Sequence, residues 1–177
     1  DDFNELFAAL TKDDAIRVLI ITGAGRGFCA GADLNDALSY KDSEALSDPE
    51  KYLRLAQERY AALVLGLRRI PQPVISAVNG PAAGGGFAMA LASDIRMASP
   101  EAYFVASFAN IGLSAGEMGT SYLLPRLIGL ARAADILYTG RKVNAEEAER
   151  MGLVNRVVPK EALLETALSF ARLMTAK

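Results

Sequence analysis

Two short apolar strands, each followed by a turn rich in glycine and alanine, constrain the fold of this chain more than any other feature of its sequence. The first run is Val18–Ile21 and the second is Val74–Val78, and both have the length and the β-branched content that are typical of buried strands. The turns that follow them are Gly23–Leu34 and Asn79–Phe87. Because small residues let a backbone approach a ligand closely, both turns are candidates for a binding site.

Helices are predicted between and after these strands. Phe3, Leu6, Phe7 and Leu10 recur at helical spacing, and a longer amphipathic pattern runs over 49–70. Further helices are predicted at Phe87–Ala92 and near Tyr122, Ala131, Asn144 and Glu161, and further strands at Ile95–Met97 and Tyr103–Val105. Such alternation indicates an α/β fold in which helices cover a mainly parallel sheet.

Three local features refine this prediction. Asn144 and Glu147 have the spacing of a helix-capping pair, and Gly152 stands where a helix end favours positive φ. The segment Asn35–Glu50 is rich in Asp, Ser and Ala, so it is predicted to be a loop.

Composition narrows the class of protein. The chain has 177 residues, 19 basic and 21 acidic, with no run of like charges, so it is predicted to form one domain that binds a small molecule rather than nucleic acid or a membrane surface. Its apolar stretches are too short to span a bilayer, and it opens with Asp1 and Asp2 rather than with the positive start of a signal peptide. We therefore expect a cytoplasmic location.

The chain contains no histidine, which limits its chemistry. Ser-His-Asp and Cys-His triads, imidazole acid/base catalysis and histidine-containing metal sites are all excluded, and we expect no metal. The single cysteine, Cys29, cannot form an internal disulfide, and without a neighbouring base it is interpreted as a packing residue.

The two turns do not fit the common phosphate-binding patterns. Phe28 stands where the dinucleotide pattern G-x-G-x-x-G requires its last glycine, and no glycine run is followed by Gly-Lys-Ser/Thr. The run Gly84–Gly86 leads into a predicted helix, whose free N–H groups favour a developing negative charge. The structural alternative, tight turns with close helix packing, explains one such segment more easily than two.

Several segments together resemble the enoyl-CoA hydratase/isomerase (crotonase) family. They are Phe28–Leu34, Ile75–Gly86, Gly112, Gly119–Thr120, Leu124–Gly129, Leu137–Arg141 and Ala145–Pro159. The resemblance implies a crotonase-like ββα spiral core and a single domain over 1–177 that lacks the first strands and the C-terminal helical region of the family. It further implies a lyase or isomerase of fatty acid metabolism that forms a homotrimer or a dimer of trimers. A coenzyme A thioester is then the substrate, and no other cofactor is expected.

Position by position, the resemblance places two oxyanion-hole donors at the N–H groups of Ala30 and Gly85. Such donors stabilise an enolate more than a neutral thioester. Asp33 is better interpreted as a helix cap than as a catalyst, and Arg26 either meets a coenzyme A phosphate or is merely solvated. The residues expected to contact the substrate or its coenzyme A are Arg26, Ala30, Ala32, Asp33, Leu34, Gly84 and Phe108.

The departures from the family pattern decide the predicted chemistry. Ala88 and Phe108 occupy the positions that match the two glutamates with which hydratases of the family add water. Glu117 remains as the candidate acid/base, and the alternative is that it is an exposed loop carboxylate. Ser114 and Asn110 are weaker candidates, better suited to hydrogen bonding than to acid catalysis.

Three functions therefore stay open. The first is isomerisation or one-carboxylate hydration of an enoyl-CoA with Glu117 moving the proton. The second is a non-catalytic acyl-CoA binding protein, since neither hydratase glutamate is present. The third is a hydrolase or dehalogenase-like enzyme in which a carboxylate acts as nucleophile.

Overall fold

The computed structural model of the protein describes residues 2–33 and 49–176, with the side chains of 49–57 excepted. The helices of this part are α1 (Asp2–Lys12), α2 (Pro49–Arg69), α3 (Gly85–Ala92), α4 (Thr120–Ile128), α5 (Leu130–Thr139), α6 (Ala145–Arg150) and α7 (Lys160–Thr175). The strands are β1 (Leu19–Thr22), β2 (Val74–Val78), β3 (Ala82–Ala83), β4 (Ile95–Ala98), β5 (Tyr103–Val105), β6 (Lys142–Asn144) and β7 (Arg156–Val157). Two short 3₁₀ turns, Ala109–Ile111 and Glu117–Gly119, precede α4.

The strands form two sheets, and most of their pairings are parallel. The first sheet has the order β1-β2-β4-β7 with every pair parallel, and the second has the order β3-β5-β6 with β3 parallel and β6 antiparallel to β5. The predicted α/β class with a mainly parallel sheet is therefore confirmed.

Strand β2 lies at the centre of the first sheet and is buried along its whole length. Its residues alternate between two cores, as a pleated strand requires. Ile75 and Ala77 join a cluster with the buried residues of α7, whereas Val74 and Val78 join the larger cluster that contains α3. Helices thus cover both faces, which is why the strand is apolar apart from Ser76, whose buried hydroxyl bonds that of Ser93 at 2.6 Å. None of the helices in the described ranges is long and apolar enough to cross a membrane.

Several predicted boundaries need correction. Helix α3 begins at Gly85, two residues before the predicted start, and the strands β3, β6 and β7 were not predicted. The predicted loop Asn35–Glu50 lies outside the described residues as far as 48, and α2 already begins at Pro49. The left-handed conformation predicted for Gly152 is confirmed by its φ of 81°.

The capping pair at α6 is half confirmed. The side chain of Asn144 accepts a hydrogen bond from the Glu147 amide at 2.8 Å. The Glu147 carboxylate does not return to the Asn144 amide but binds the Arg141 guanidinium at 2.8 Å, and together with Asp135 it raises the pKa of Arg141. An ion pair with the residue just before β6 thus replaces the second bond of the capping box.

Replacing Asn144 with alanine is expected to lower the free energy of unfolding by about 1 kcal/mol, because the amide at the third position of α6 loses its acceptor. Asn144→Asp is the matched control, since it keeps an acceptor and adds a negative charge at the helix start. Urea denaturation should give Asn144→Ala a lower free energy of unfolding than both Asn144→Asp and the wild type. Equal stability of the two variants would contradict the assigned cap.

Candidate active site

The two turns rich in glycine and alanine are joined by backbone hydrogen bonds. The amides of Phe28 and Cys29 donate to the Pro81 carbonyl at 3.0 and 3.1 Å, and the Ala83 amide donates to the Cys29 carbonyl at 3.0 Å. Cys29 therefore pairs with Ala82 in an isolated parallel bridge. Cys29 itself is half-buried and packs against the main core, as its interpretation as a packing residue predicted.

The side chain of Asn79 fixes the first turn against the second. Its Oδ1 accepts from the Gly23 amide at 3.0 Å, and its Nδ2 lies 3.2 and 3.3 Å from the carbonyl oxygens of Gly25 and Gly27. Asn79 is 8% exposed, so these bonds form where water cannot compete freely. This role of Asn79 was not predicted, although an asparagine directly after a buried strand is a visible signal.

Beyond this pairing, Gly31 and Gly85 face each other at close range. A Cβ added at Gly31 would lie 3.2 Å from the Gly85 nitrogen and 3.1 Å from the Ala83 carbonyl oxygen. Gly31 and Gly84 also adopt φ values of 95° and 52°, which L side chains rarely adopt. Only glycine therefore allows this approach of the two backbones.

The N–H groups of Ala30 and Gly85 have no acceptor in the described part of the chain. For Gly85 this follows from its position as the first residue of α3, where the helix itself offers no partner. Ala30 is exposed and Gly85 is half-buried. The Gly85 donor lies at the positive end of a helix, and the Ala30 donor belongs to the residue that precedes Gly31, which faces Gly85.

Helix α3 is held at its other end by a buried arginine. Arg96 is 4% exposed, and its guanidinium donates to the carbonyls of Leu153 at 2.8 Å and Ala90 at 3.2 Å and also to that of Ser93. Burial lowers the pKa of Arg96 to about 10, so the side chain stays charged at neutral pH. A positive charge at the last turn of α3 matches the negative end of that helix.

Glu117 is half-buried and begins the 3₁₀ turn that precedes α4. The next residue, Met118, has a φ of 51° and is the one residue other than glycine with positive φ in the described ranges. That conformation costs roughly 1 kcal/mol or more for a side chain of this kind. The Met118 Sδ would lie 3.3 Å from a Cβ added at Gly85, so the Glu117–Gly119 turn packs against the start of α3. No sequence pattern predicted the strained methionine.

The remaining residues of the predicted site differ in their exposure to solvent. Ala88 and Phe108 are 0% and 6% exposed and belong to the main core. Gly84 is buried, whereas the exposed positions are Arg26, Ala32 and Asp33. Leu34 lies outside the described residues.

The two weaker candidates bind the backbone. The Asn110 amide donates to the Gly140 carbonyl at 3.2 Å, and the Ser114 hydroxyl accepts from the Gly116 amide at 3.1 Å. Both residues are exposed, and these bonds hold loop segments.

Two surface clefts lie away from the facing glycines. One of about 290 Å³ is lined by Arg17, Gln72 and Met174, and another of about 400 Å³ lies between α1 and α2. Neither contains a residue of the two turns, so the unpaired donors rather than a concave shape identify the candidate site.

Comparison with known proteins shows the family to which the chain belongs. The chain matches the enoyl-CoA hydratase/isomerase family over residues 1–177, and it belongs to that family. Probable enoyl-CoA hydratase EchA12 of Mycobacterium tuberculosis is 52% identical over 170 residues, which are 96% of this chain and 59% of that protein. The 1,2-epoxyphenylacetyl-CoA isomerase of Escherichia coli is 43% identical over 169 residues, which are 95% of this chain and 62% of that protein.

A solved structure supports the same assignment. The crystal structure of a probable enoyl-CoA hydratase/isomerase from Mycobacterium abscessus aligns with a TM-score of 0.87 and 42% sequence identity. The alignment covers 99% of this chain and 64% of that structure. The crotonase-like fold is therefore confirmed, and the chain spans about three fifths of the length of these relatives.

Proposed function

We propose that the chain processes acyl-CoA thioesters by stabilising a thioester enolate between the N–H groups of Ala30 and Gly85. The observation that carries this proposal is the adjacency of two turns whose facing glycines leave these two donors without acceptors in the described part of the chain. Donors fixed in place before the reaction stabilise a developing oxyanion, and each contributes roughly 3 kcal/mol to the transition state. The coenzyme A thioester is the substrate, consistent with membership of the family.

In the proposed reaction Glu117 carries the proton. Deprotonation at the α- or γ-carbon of an enoyl thioester gives a dienolate whose negative charge lies on the thioester oxygen, and reprotonation at the other carbon completes an isomerisation. The position of Glu117 supports this role, because its turn packs on Gly85 through Met118. One-carboxylate hydration of the enoyl group is the alternative use of the same proton shuttle.

Ala88 and Phe108 are apolar and buried, so their side chains offer no acceptor that could order an attacking water. This favours proton transfer over hydration. The relative from Escherichia coli is an isomerase and that from Mycobacterium tuberculosis a probable hydratase, so the choice rests on Ala88 and Phe108 and not on the relatives.

The other contacts follow the same proposal. We place Arg26, Ala32, Asp33 and Leu34 at the coenzyme A moiety, and Gly84 and Phe108 beside the acyl group. A homotrimer or a dimer of trimers in the cytoplasm remains our proposal for the whole protein.

The test is exchange of the α-protons of butyryl-CoA with deuterium from solvent, followed by NMR, because it reports enolate formation for a simple acyl group. Glu117→Gln is expected to slow this exchange on the order of 100-fold and to leave the dissociation constant within about twofold, since the oxyanion donors are backbone groups. Glu146→Gln is the control, because this carboxylate is exposed on α6 and pairs with Arg150.

Two outcomes would contradict the proposal. One is exchange that is equally fast in Glu117→Gln and wild type. The other is rapid hydration of crotonyl-CoA that survives Glu117→Gln.

A further inference from the structure

Met118 combines a strained backbone with a side chain placed on the proposed oxyanion donor. Its φ of 51° and ψ of 29° lie in the left-handed region, where glycine or asparagine would be accommodated with less strain. Glycines stand nearby at positions 116 and 119, so the turn has conformational freedom without a methionine in this position. A strained residue at a candidate site points to a role for its side chain.

The thioether of Met118 covers Gly85. Its Sδ and Cε lie 3.3 and 3.7 Å from the position of a Cβ added at Gly85, and the side chain packs partly buried against the main core. Gly85 has no side chain of its own, so the methionine borders the space next to the Gly85 amide. The glycine that Met118 covers is the one whose amide has no acceptor among the described residues.

The chemistry of that space follows from hydrogen-bond geometry. A carbonyl oxygen accepting from the Gly85 N–H lies about 2.9 Å from the nitrogen, which puts its carbon and the adjoining α-carbon within a few ångströms of the same amide. A substituent on the α-carbon therefore competes for volume with the Met118 thioether. A methionine can adjust its shape, so it restricts rather than closes the space.

We propose that Met118 is a specificity-determining residue that favours acyl-CoA thioesters with an unbranched α-carbon over those that carry an α-methyl group. The inference rests on the proposed function, because it requires the thioester carbonyl to bind at Gly85. One methyl group against an apolar wall discriminates by about tenfold or more.

The experiment compares the dissociation constants of butyryl-CoA and 2-methylbutyryl-CoA by calorimetry. Wild type is expected to bind butyryl-CoA about tenfold more tightly, and Met118→Gly is expected to bring the two within about twofold of each other. Met118→Leu is the matched control, since it keeps a similar apolar volume in the same backbone conformation and should retain the preference. Met118→Asn, which also suits the left-handed region, gives a second small variant if Met118→Gly fails to fold.

The outcomes separate this inference from the proposed function. If wild type binds neither thioester, both proposals fail. If wild type binds butyryl-CoA but the ratio of the two constants is the same in wild type, Met118→Gly and Met118→Asn, the proposed function stands and the role of Met118 is overturned.

Discussion

Gly86→Ala is expected to lower the free energy of unfolding by about 3 kcal/mol or more and to abolish acyl-CoA turnover. A Cβ at Gly86 would overlap the carbonyl oxygen of Cys29 and lie 2.7 Å from its carbonyl carbon. That carbonyl accepts the Ala83 amide and thereby joins the two turns. The backbones would have to separate, which breaks this bond and displaces Ala30 from Gly85.

Conformation alone would favour the same substitution, because Gly86 lies inside α3 and its φ is not positive. Alanine gains about 1 kcal/mol over glycine in a helix, so the predicted loss comes entirely from the close approach. Gly85→Ala is the matched control, since its Cβ would meet the flexible end of Met118 at 3.3 Å and the Gly31 Cα at an ordinary contact distance of 3.7 Å.

Thermal denaturation measures the difference. Gly86→Ala should melt roughly 6–12 °C below wild type, and Gly85→Ala should melt close to it. Similar melting temperatures for the two variants would show that the Cys29 contact does not join the turns.

Arg96→Met is expected to cost about 3 kcal/mol of stability, although the methionine keeps most of the apolar stem. The substitution leaves the carbonyls of Ala90, Ser93 and Leu153 without their buried donor. Each buried polar group left unsatisfied costs about 1–3 kcal/mol. Part of this cost is offset, because the folded protein no longer has to desolvate the arginine charge. Helix α3 also loses the positive charge at its C-terminal end.

Arg68→Met is the comparison for this prediction. Arg68 forms a 2.9 Å ion pair with Asp94 and also donates to the Ala92 carbonyl at the end of α3 at 3.2 Å. Its side chain is 47% exposed, and such exposed pairs contribute at most about 1 kcal/mol. Urea denaturation should therefore place Arg96→Met well below Arg68→Met. If both variants lose the same small amount of unfolding free energy, the buried guanidinium is not what holds α3.

The strands and helices with a strong local signal were predictable. The run Val74–Val78 is apolar because both of its faces are covered, and α2 ends before Pro71 and Pro73. The strands β3, β6 and β7 were not predicted, because their sequences carry no strong local signal. They are two or three residues long, and Ala82–Ala83 has no intrinsic preference for a strand, so its pairing with β5 is imposed by its neighbours.

Some parts of the candidate site could likewise be predicted from the sequence, and others could not. The two turns and Glu117 could be found from sequence because their glycines and their resemblance to a family mark them. The contacts of Asn79, Arg96 and Met118 could not, because each depends on segments that meet only in the folded chain. A left-handed methionine in particular has no sequence signature, since its conformation is set by packing rather than by propensity.

The bond between Asn79 and Gly27 joins residues 52 positions apart, and this separation has a consequence for folding kinetics. The entropy of closing so long a loop must be lost before any of the contacts between the two turns can form. Among the described residues, the backbone of the first turn is bonded to the second turn through Phe28, Cys29 and the glycines that bind Asn79. The two donors therefore acquire their mutual geometry only when the sheet assembles, and a substitution that weakens the Asn79 bonds should slow folding if these bonds form in the transition state.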